Sequence, residues 1–425
     1  MDTLESLYKE ELINNRRKFR RLAEVGWLEM NTTIEIIKYL KSLGYNVIYG
    51  RKIHSSRMGL PSEAEFKEHI KNVNTDNLDF NCDEILEGYT GCICQLECET
   101  PGKTFCFRFD IDALPLHESD DEKHIPNKLN FRSLDNNTSH SCGHDGHIAI
   151  GLMLAKYVME NKNTLKGKYR FIFQPAEEGV RGAKSITNTE FLNNIDYLFA
   201  SHIGMNEKPD TVGIGTENFL ATIKYDVNFK GVSSHAGGSP EKGKNALLAA
   251  CSCSLNLHTL PQYGNGIARV NVGTLNAGTG RNLVPQNADM KLEIRADKKE
   301  ILNNLKIKTE NIIKHSALCY DLKYSIKEVG SAAAFTSRHR DFLEELSDYL
   351  ESKNLKIHRF PDFNSSEDVS YMLEKVENSG GIGIHFLFGT ELKAPHHNDA
   401  FDYNENVLML GLKSYVESIK YINSK

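Results

Sequence analysis

No apolar run in this chain approaches the roughly 20 residues that a membrane-crossing helix needs. The opening, MDTLESLYKEELINNRRKFRRL, is charged and helix-periodic, with no apolar signal core. A cytoplasmic protein is expected. Positive charge is not in excess: the formal net charge is −6, which gives nucleic acid and anionic membranes no electrostatic hold. The nine cysteines include no C-x-x-C pair that would close a tetrahedral metal site. An odd count in so long a chain points to reduced thiols rather than a disulfide framework, and Cys92, Cys94 and Cys98 in TGCICQLECE read as buried strand residues. Internal repeats and low-complexity tracts are also missing. What is left is an ordinary globular composition of 425 residues, too long for one hydrophobic core, so two domains are expected.

The densest chemistry lies in residues 138–151, TSHSCGHDGHIAIG. Cys142, His144, Asp145 and His147 fall within this stretch, and thiolate and neutral imidazole are good ligands for borderline first-row metals. From Asp145 onward Ile148, Leu152, Leu154, Ala155 and Val158 fit a buried helix, which offers His147 a packing or capping role instead. Further acids and imidazoles stand at the ends of apolar segments. A strand over 104–111 ends in DIDALP, where Asp110 and Asp112, two apart on extended chain, share a side. They are either solvated strand-end acids or carboxylates that orient a ligand histidine. A strand over 169–173 runs into QPAEEG. Adjacent Glu177 and Glu178 point in different directions, so one can bind metal while the other faces an attacking water; a solvated helix start is the plain alternative. A strand over 195–200 ends at Ser201-His202, and one over 383–388 leads to KAPHHND, with His396 and His397. Carboxyl ends of strands are where open α/β sheets bind ligands. His385, inside its strand, reads as core.

The rest sets the architecture. Residues 2–43 form two helices, broken near Val25-Gly26-Trp27, and a strand covers 91–97. From about residue 217 the pattern becomes strand 225–230, helix 244–260, strands 268–275 and 288–295, helix 298–315 and strand 321–327. That order is the split ferredoxin-like βαββαβ unit, and it reads as an inserted domain over 217–330, between catalytic segments 1–216 and 331–425. Its loops SSHAGG, with His235, and GTGRNLVP, with Arg281 and Asn282, carry donors suited to a carboxylate or developing oxyanion. Helices are expected at 341–353, at 367–373 behind Ser366 as N-cap, and at 404–422.

Taken together, DIDALP, HSCGHDGH, QPAEEG, SHIG, SHAGGSPEKGKNALLAA, GTGRNLVP, SED and HHNDAFD, in that order, resemble the aminoacylase-like metal-dependent amidohydrolases of the dinuclear exopeptidase superfamily. This is the branch of hippurate, indole-acetyl-amino-acid and p-aminobenzoyl-glutamate hydrolases; QPAEEGVRGAKSI and FLATIKYDVNFKGVSSHAG look closest to the last group. The resemblance implies an α/β fold, a dinuclear-exopeptidase-like catalytic domain carrying an inserted ferredoxin-like dimerisation or lid domain. It implies cleavage of N-acyl or N-aroyl amino acids with two divalent ions, manganese or zinc. Cys142, His144, Glu178, His202 and His397 match metal ligands, with His396 as runner-up to His397. Glu177 matches the general base, Asp112 the carboxylate behind the site, and His235 a residue that reaches the partner's active site in a homodimer. Asn282, with Arg281 or Arg295, matches groups near the substrate carboxylate. Departures are confined to Ser139, Ser141, Asn404 and Arg20, none of them a ligand. Rival readings are an N-acetyl-amino-acid deacetylase, a dipeptidase, and a non-catalytic metal-binding subunit of a heteromeric enzyme.

Overall fold

The computed structural model describes residues 3–425; the expected helix start at residue 2 lies outside them. The chain divides into two compact units. One comprises the residues up to Glu217, Thr336–Phe363 and Asp368–Lys425, and the other Asn218–Phe335 with Asn364–Glu367. The strands are β1 (Asn46–Tyr49), β2 (Cys92–Glu97), β3 (Thr100–Asp110), β4 (Lys166–Gln174), β5 (Tyr197–Ile203), β6 (Thr211–Ile214), β7 (Ala221–Lys230), β8 (Ala268–Ala277), β9 (Asn287–Ala296), β10 (Lys323–Ala332), β11 (Lys356–Arg359) and β12 (Ile382–Phe388).

In the first unit eight strands form one mixed sheet in the order β1-β2-β4-β3-β5-β12-β6-β11. The central run β4-β3-β5-β12 is parallel, so four carboxyl ends meet at one edge. Both faces of that run are covered, and β3 from Phe105 to Asp110 is accordingly buried on both. Phe107 stacks between Phe171 of β4 at 5.4 Å and Phe199 of β5 at 5.3 Å. Tyr415, from the helix Asn406–Ser424, meets Phe107 edge-on at 5.7 Å, the geometry that aromatic quadrupoles favour.

The opposite face of β3 carries a buried arginine. Arg108 donates to Gln174 Oε1 at 2.7 Å, Asp110 Oδ2 at 2.6 Å and Asp368 Oδ1 at 3.0 Å. Asp368 in turn accepts from the backbone of Gly182 and Ala183, which fixes the chain just after Glu177 and Glu178. Replacing Arg108 by Met strands two buried carboxylates. The expected loss is about 3–5 kcal/mol, read as a lower midpoint in thermal or denaturant melts.

A second buried polar group makes stability depend on pH. His54 accepts from Ser185 Oγ at 2.6 Å and donates to Thr90 O at 2.9 Å. Burial pushes its pKa down from 6.5 to about 4. Between those values the unfolded chain holds a proton that the fold excludes. The contribution of His54 is therefore full above pH 6.5 and drains away as pH falls toward 4, by about 3 kcal/mol in all. His54→Gln should flatten that part of a stability-versus-pH curve, measured by denaturant melts across the window.

In the second unit β7, β8, β9 and β10 form an antiparallel sheet in the order β10-β7-β9-β8. The helix Ala246–Leu257 follows β7 and the helix Lys299–Leu318 follows β9, which gives the βαββαβ order of the ferredoxin-like unit. Two details differ from the sequence reading. The helix expected at 367–373 spans Ser370–Asn378 with Val369, not Ser366, at its N-cap, because Asp368 is spent on the Gly182 and Ala183 amides. The four-residue strands β1, β6 and β11 and the helix Glu63–Ile70 have no counterpart in it.

Candidate active site and metal centre

The carboxyl ends of β3, β4, β5 and β12 deliver their side chains to one place. Gly143, at φ +92°, turns the chain into the helix His144–Glu160, a conformation that suits glycine. That turn sets Cys142 and His144 beside the sheet edge. Cys142 Sγ lies 3.4 Å from His202 Nε2. Ligand atoms of Cys142, His144 and His202 fall within 4.8 Å of one another, as do those of Cys142, Glu178 and His397, and those of His144, Glu177 and Glu178. His397 Nε2 is 3.6 Å from Glu178 Oε1.

The atoms inside this cluster fit divalent cations. His144 donates from Nδ1 to Asp112 O at 2.9 Å, which leaves Nε2 as a lone-pair donor. Both that atom and Glu178 Oε1 are buried without a hydrogen-bond partner, a costly state for polar atoms unless something binds them. Burial, then Glu178, pushes the Cys142 thiol up. Burial pushes Glu178 up to about 7, against the pull of His144. His202 is held neutral by burial and by its neighbours His147 and His396. Each of these groups is short of a positive partner, and metal–ligand bonds supply one.

The remaining candidates of the HSCGHDGH stretch are occupied. His147 accepts from the Ile203 amide at Nε2 (3.0 Å) and donates from Nδ1 to Asp110 at 2.5 Å, so neither nitrogen is open to a metal. Asp145 takes Arg16 at 3.1 Å, Arg20 at 3.5 Å and the Tyr403 hydroxyl at 3.1 Å. Of the two adjacent histidines, His396 donates from Nε2 to Ile203 O at 3.0 Å. His397, at φ +63°, is turned the other way, onto Glu178. Asp112 accepts the Glu178 amide at 2.9 Å and stands 3.3 Å from His144 Nδ1.

In the second unit the loops bearing His235 and Asn282 pair with each other: Ala236 N donates to Asn282 O at 3.0 Å. His235 Nδ1 accepts from the amides of Gly237 and Gly238 at 3.1 and 2.8 Å. The proton therefore sits on Nε2, and the ring presents an N–H donor. Arg281 is exposed on the same turn. Arg295 is not part of this cluster. It lies far along β9, about 27 Å from the strand's start at 3.4 Å per residue, and binds Glu293 at 2.9 Å.

Residues 106–421 match the model of peptidase family M20/M25/M40. The chain belongs to this family. It is a metal-dependent amidohydrolase. It is 36% identical over 419 residues to a homolog of p-aminobenzoyl-glutamate hydrolase from Haemophilus influenzae, covering 97% of this chain and 99% of that one. It is 37% identical over 409 residues to indole-3-acetyl-aspartic acid hydrolase from Enterobacter agglomerans, covering 95% and 94%. Among solved structures, an aminobenzoyl-glutamate utilization protein from Klebsiella pneumoniae superposes with a TM-score of 0.81 at 31% identity, over 98% and 97% of the two chains. A dinuclear metal-binding M20 peptidase from Bacillus subtilis shares the fold, at a TM-score of 0.69, 22% identity and 99% of both chains.

Several residues that organise the site carry little local signal. Arg16 ion-pairs with Asp145, Asp402 and Glu405, and Arg20 with Glu118. Together they bind the first helix, Thr3–Arg21, to the two segments that bear His144 and His397. Two arginines four apart on the stripe that also buries Leu12 and Phe19 are the signal that could have found them.

Proposed function

We propose that the chain hydrolyses the amide bond of N-acyl or N-aroyl amino acids, with compounds like p-aminobenzoyl-glutamate as the first candidates. The convergence of Cys142, three imidazoles and two adjacent glutamates at one sheet edge carries this reading, and the activities named for the most similar relatives support it. Cys142, His144, Glu178, His202 and His397 would hold two divalent ions, manganese or zinc. His397 is preferred to His396, whose Nε2 is committed to a carbonyl. When bound, such ions supply Lewis acidity to the scissile carbonyl and to water, whose pKa can fall from 15.7 to about 7.

The chain's own residues do the rest. Glu177 takes a proton from the attacking water and returns it to the leaving amine nitrogen. Asp112 steadies Glu178 through its amide and His144 at the ring. The Nε2–H of His235 donates to the developing oxyanion, a contact whose loss typically costs about 3–4 kcal/mol. Asn282 and Arg281, with Arg295 as the other candidate, take the substrate carboxylate. In this reading the second unit is the dimerisation domain, and His235 serves the active site of the partner in a homodimer. The nine free cysteines suit a reducing cytoplasm.

A substrate panel tests it: p-aminobenzoyl-glutamate, indole-3-acetyl-aspartate, hippurate, N-acetyl amino acids and dipeptides, compared by kcat/KM on the purified chain. The aroyl and aryl-acetyl compounds should lead. A clear lead for N-acetyl amino acids or dipeptides overturns the acyl-group assignment, and turnover only after adding a second polypeptide makes this one component of a heteromeric enzyme.

A further inference from the structure

Glu177, assigned above as the base, follows Ala176, a non-glycine residue at φ +53°. Such a backbone state is unfavourable for a residue with a side chain and persists only where its surroundings enforce it. On the carboxyl side of Glu177 the amide of Glu178 is held by Asp112 at 2.9 Å. On its amino side the amide of Ala176 donates to Glu29 Oε1 at 2.7 Å. Glu29 is fully buried, just before the helix Met30–Ser42, and its other oxygen accepts from Thr90 Oγ1 at 2.7 Å. No cation among the described residues pairs with it. An unpaired carboxylate is an expensive group to bury, and burial, followed by Asp112, pushes its pKa up to about 8. A leucine there would pack without that cost.

We infer that Glu29 is a positioning residue for the general base, an inference that rests on the role given to Glu177: with Asp112, Glu29 grips the two peptide groups that flank it. The neighbouring sequence serves the same end. A Cβ on Gly26 would lie 2.9 Å from Ala176 Cα, and one on Gly182 would lie 1.7 Å from Pro175 O. The peptide at Ala176 is thus confined from several sides, and Arg181 N closes the turn onto Ala176 O at 3.1 Å. Glu29 supplies the side-chain acceptor for that amide, and a glutamine would keep the accepting oxygen.

The test compares wild type, Glu177→Gln, Glu29→Gln and Glu29→Ala, each with its bound metal counted, on the panel substrate that wild type turns over fastest. Glu29→Ala should lose about 10- to 100-fold in kcat, with KM and metal content within about twofold of wild type. Glu29→Gln should stay within about threefold in kcat. If Glu29→Ala does not fold, Gly26→Ala presses on the same peptide from its other side and should show the same loss confined to kcat. Wild-type kcat in the alanine variant that folds, loss of metal alongside kcat, or equal damage from Gln and Ala at position 29 overturns the inference. A wild-type rate in Glu177→Gln instead overturns the base assignment, whatever Glu29 does.

Discussion

Glu177→Gln should keep its metal and lose turnover by about 10² to 10⁴, the range set by removing a general acid–base group. The substitution preserves shape and removes the proton acceptor. The turn around it is held through the amides of Ala176 and Glu178 and through Asp368 on the Gly182 and Ala183 amides, so the frame should survive the change. Glu177 is 8% exposed, so bulk water cannot take over its task freely. The checks are kcat at saturating substrate and metal content by elemental analysis on the same sample. Near-wild-type kcat would remove Glu177 from the chemistry; loss of metal would make it a ligand instead.

Cys142→Ser should cost metal as well as rate. Cys142 belongs to two of the ligand groupings, with His144 and His202 and with Glu178 and His397, so it is the atom shared by both halves of the centre. A serine hydroxyl stays protonated where a thiolate binds. Loss of at least one ion per chain and a fall in kcat of about 10² or more are expected. Oxidation of the same sulfur acts on the same bond: peroxide treatment should release metal and inactivate the enzyme. Oxidised protein that keeps its full metal content and activity would show that this thiolate is not a ligand.

The four junctions between apolar strands and polar motifs are readable in the sequence because parallel strands bring distant segments to one edge, whatever their separation along the chain. Phe105, Phe107 and Phe109 alternate with Cys106, Arg108 and Asp110, a period of two that needs no tertiary knowledge. The choice between His396 and His397 is not readable, since it turns on one left-handed residue and on the carbonyl of Ile203, about 190 residues away in sequence. Glu29 is hidden for a similar reason. An acid just ahead of a helix is an unremarkable local pattern, and its meaning comes from the amide of Ala176, 147 residues later. Strands β1, β6 and β11 have four residues each, too few to show a period, and exist because a neighbour offers them a ladder. Ser366 suits an N-cap by residue type alone, while the acid two residues on is claimed by a turn almost 190 positions earlier.

Whether this sheet edge is a metal-dependent amide-hydrolysing centre is tested most directly by stripping the purified chain with a chelator. Manganese or zinc is then titrated back while hydrolysis of p-aminobenzoyl-glutamate and the rest of the panel is followed. Activity should vanish on stripping and return to a plateau near two equivalents of one of the metals per chain, with Cys142→Ser falling short of that plateau. Full activity in the stripped protein, or a metal-loaded protein that hydrolyses no N-acyl amino acid, would contradict the assignment.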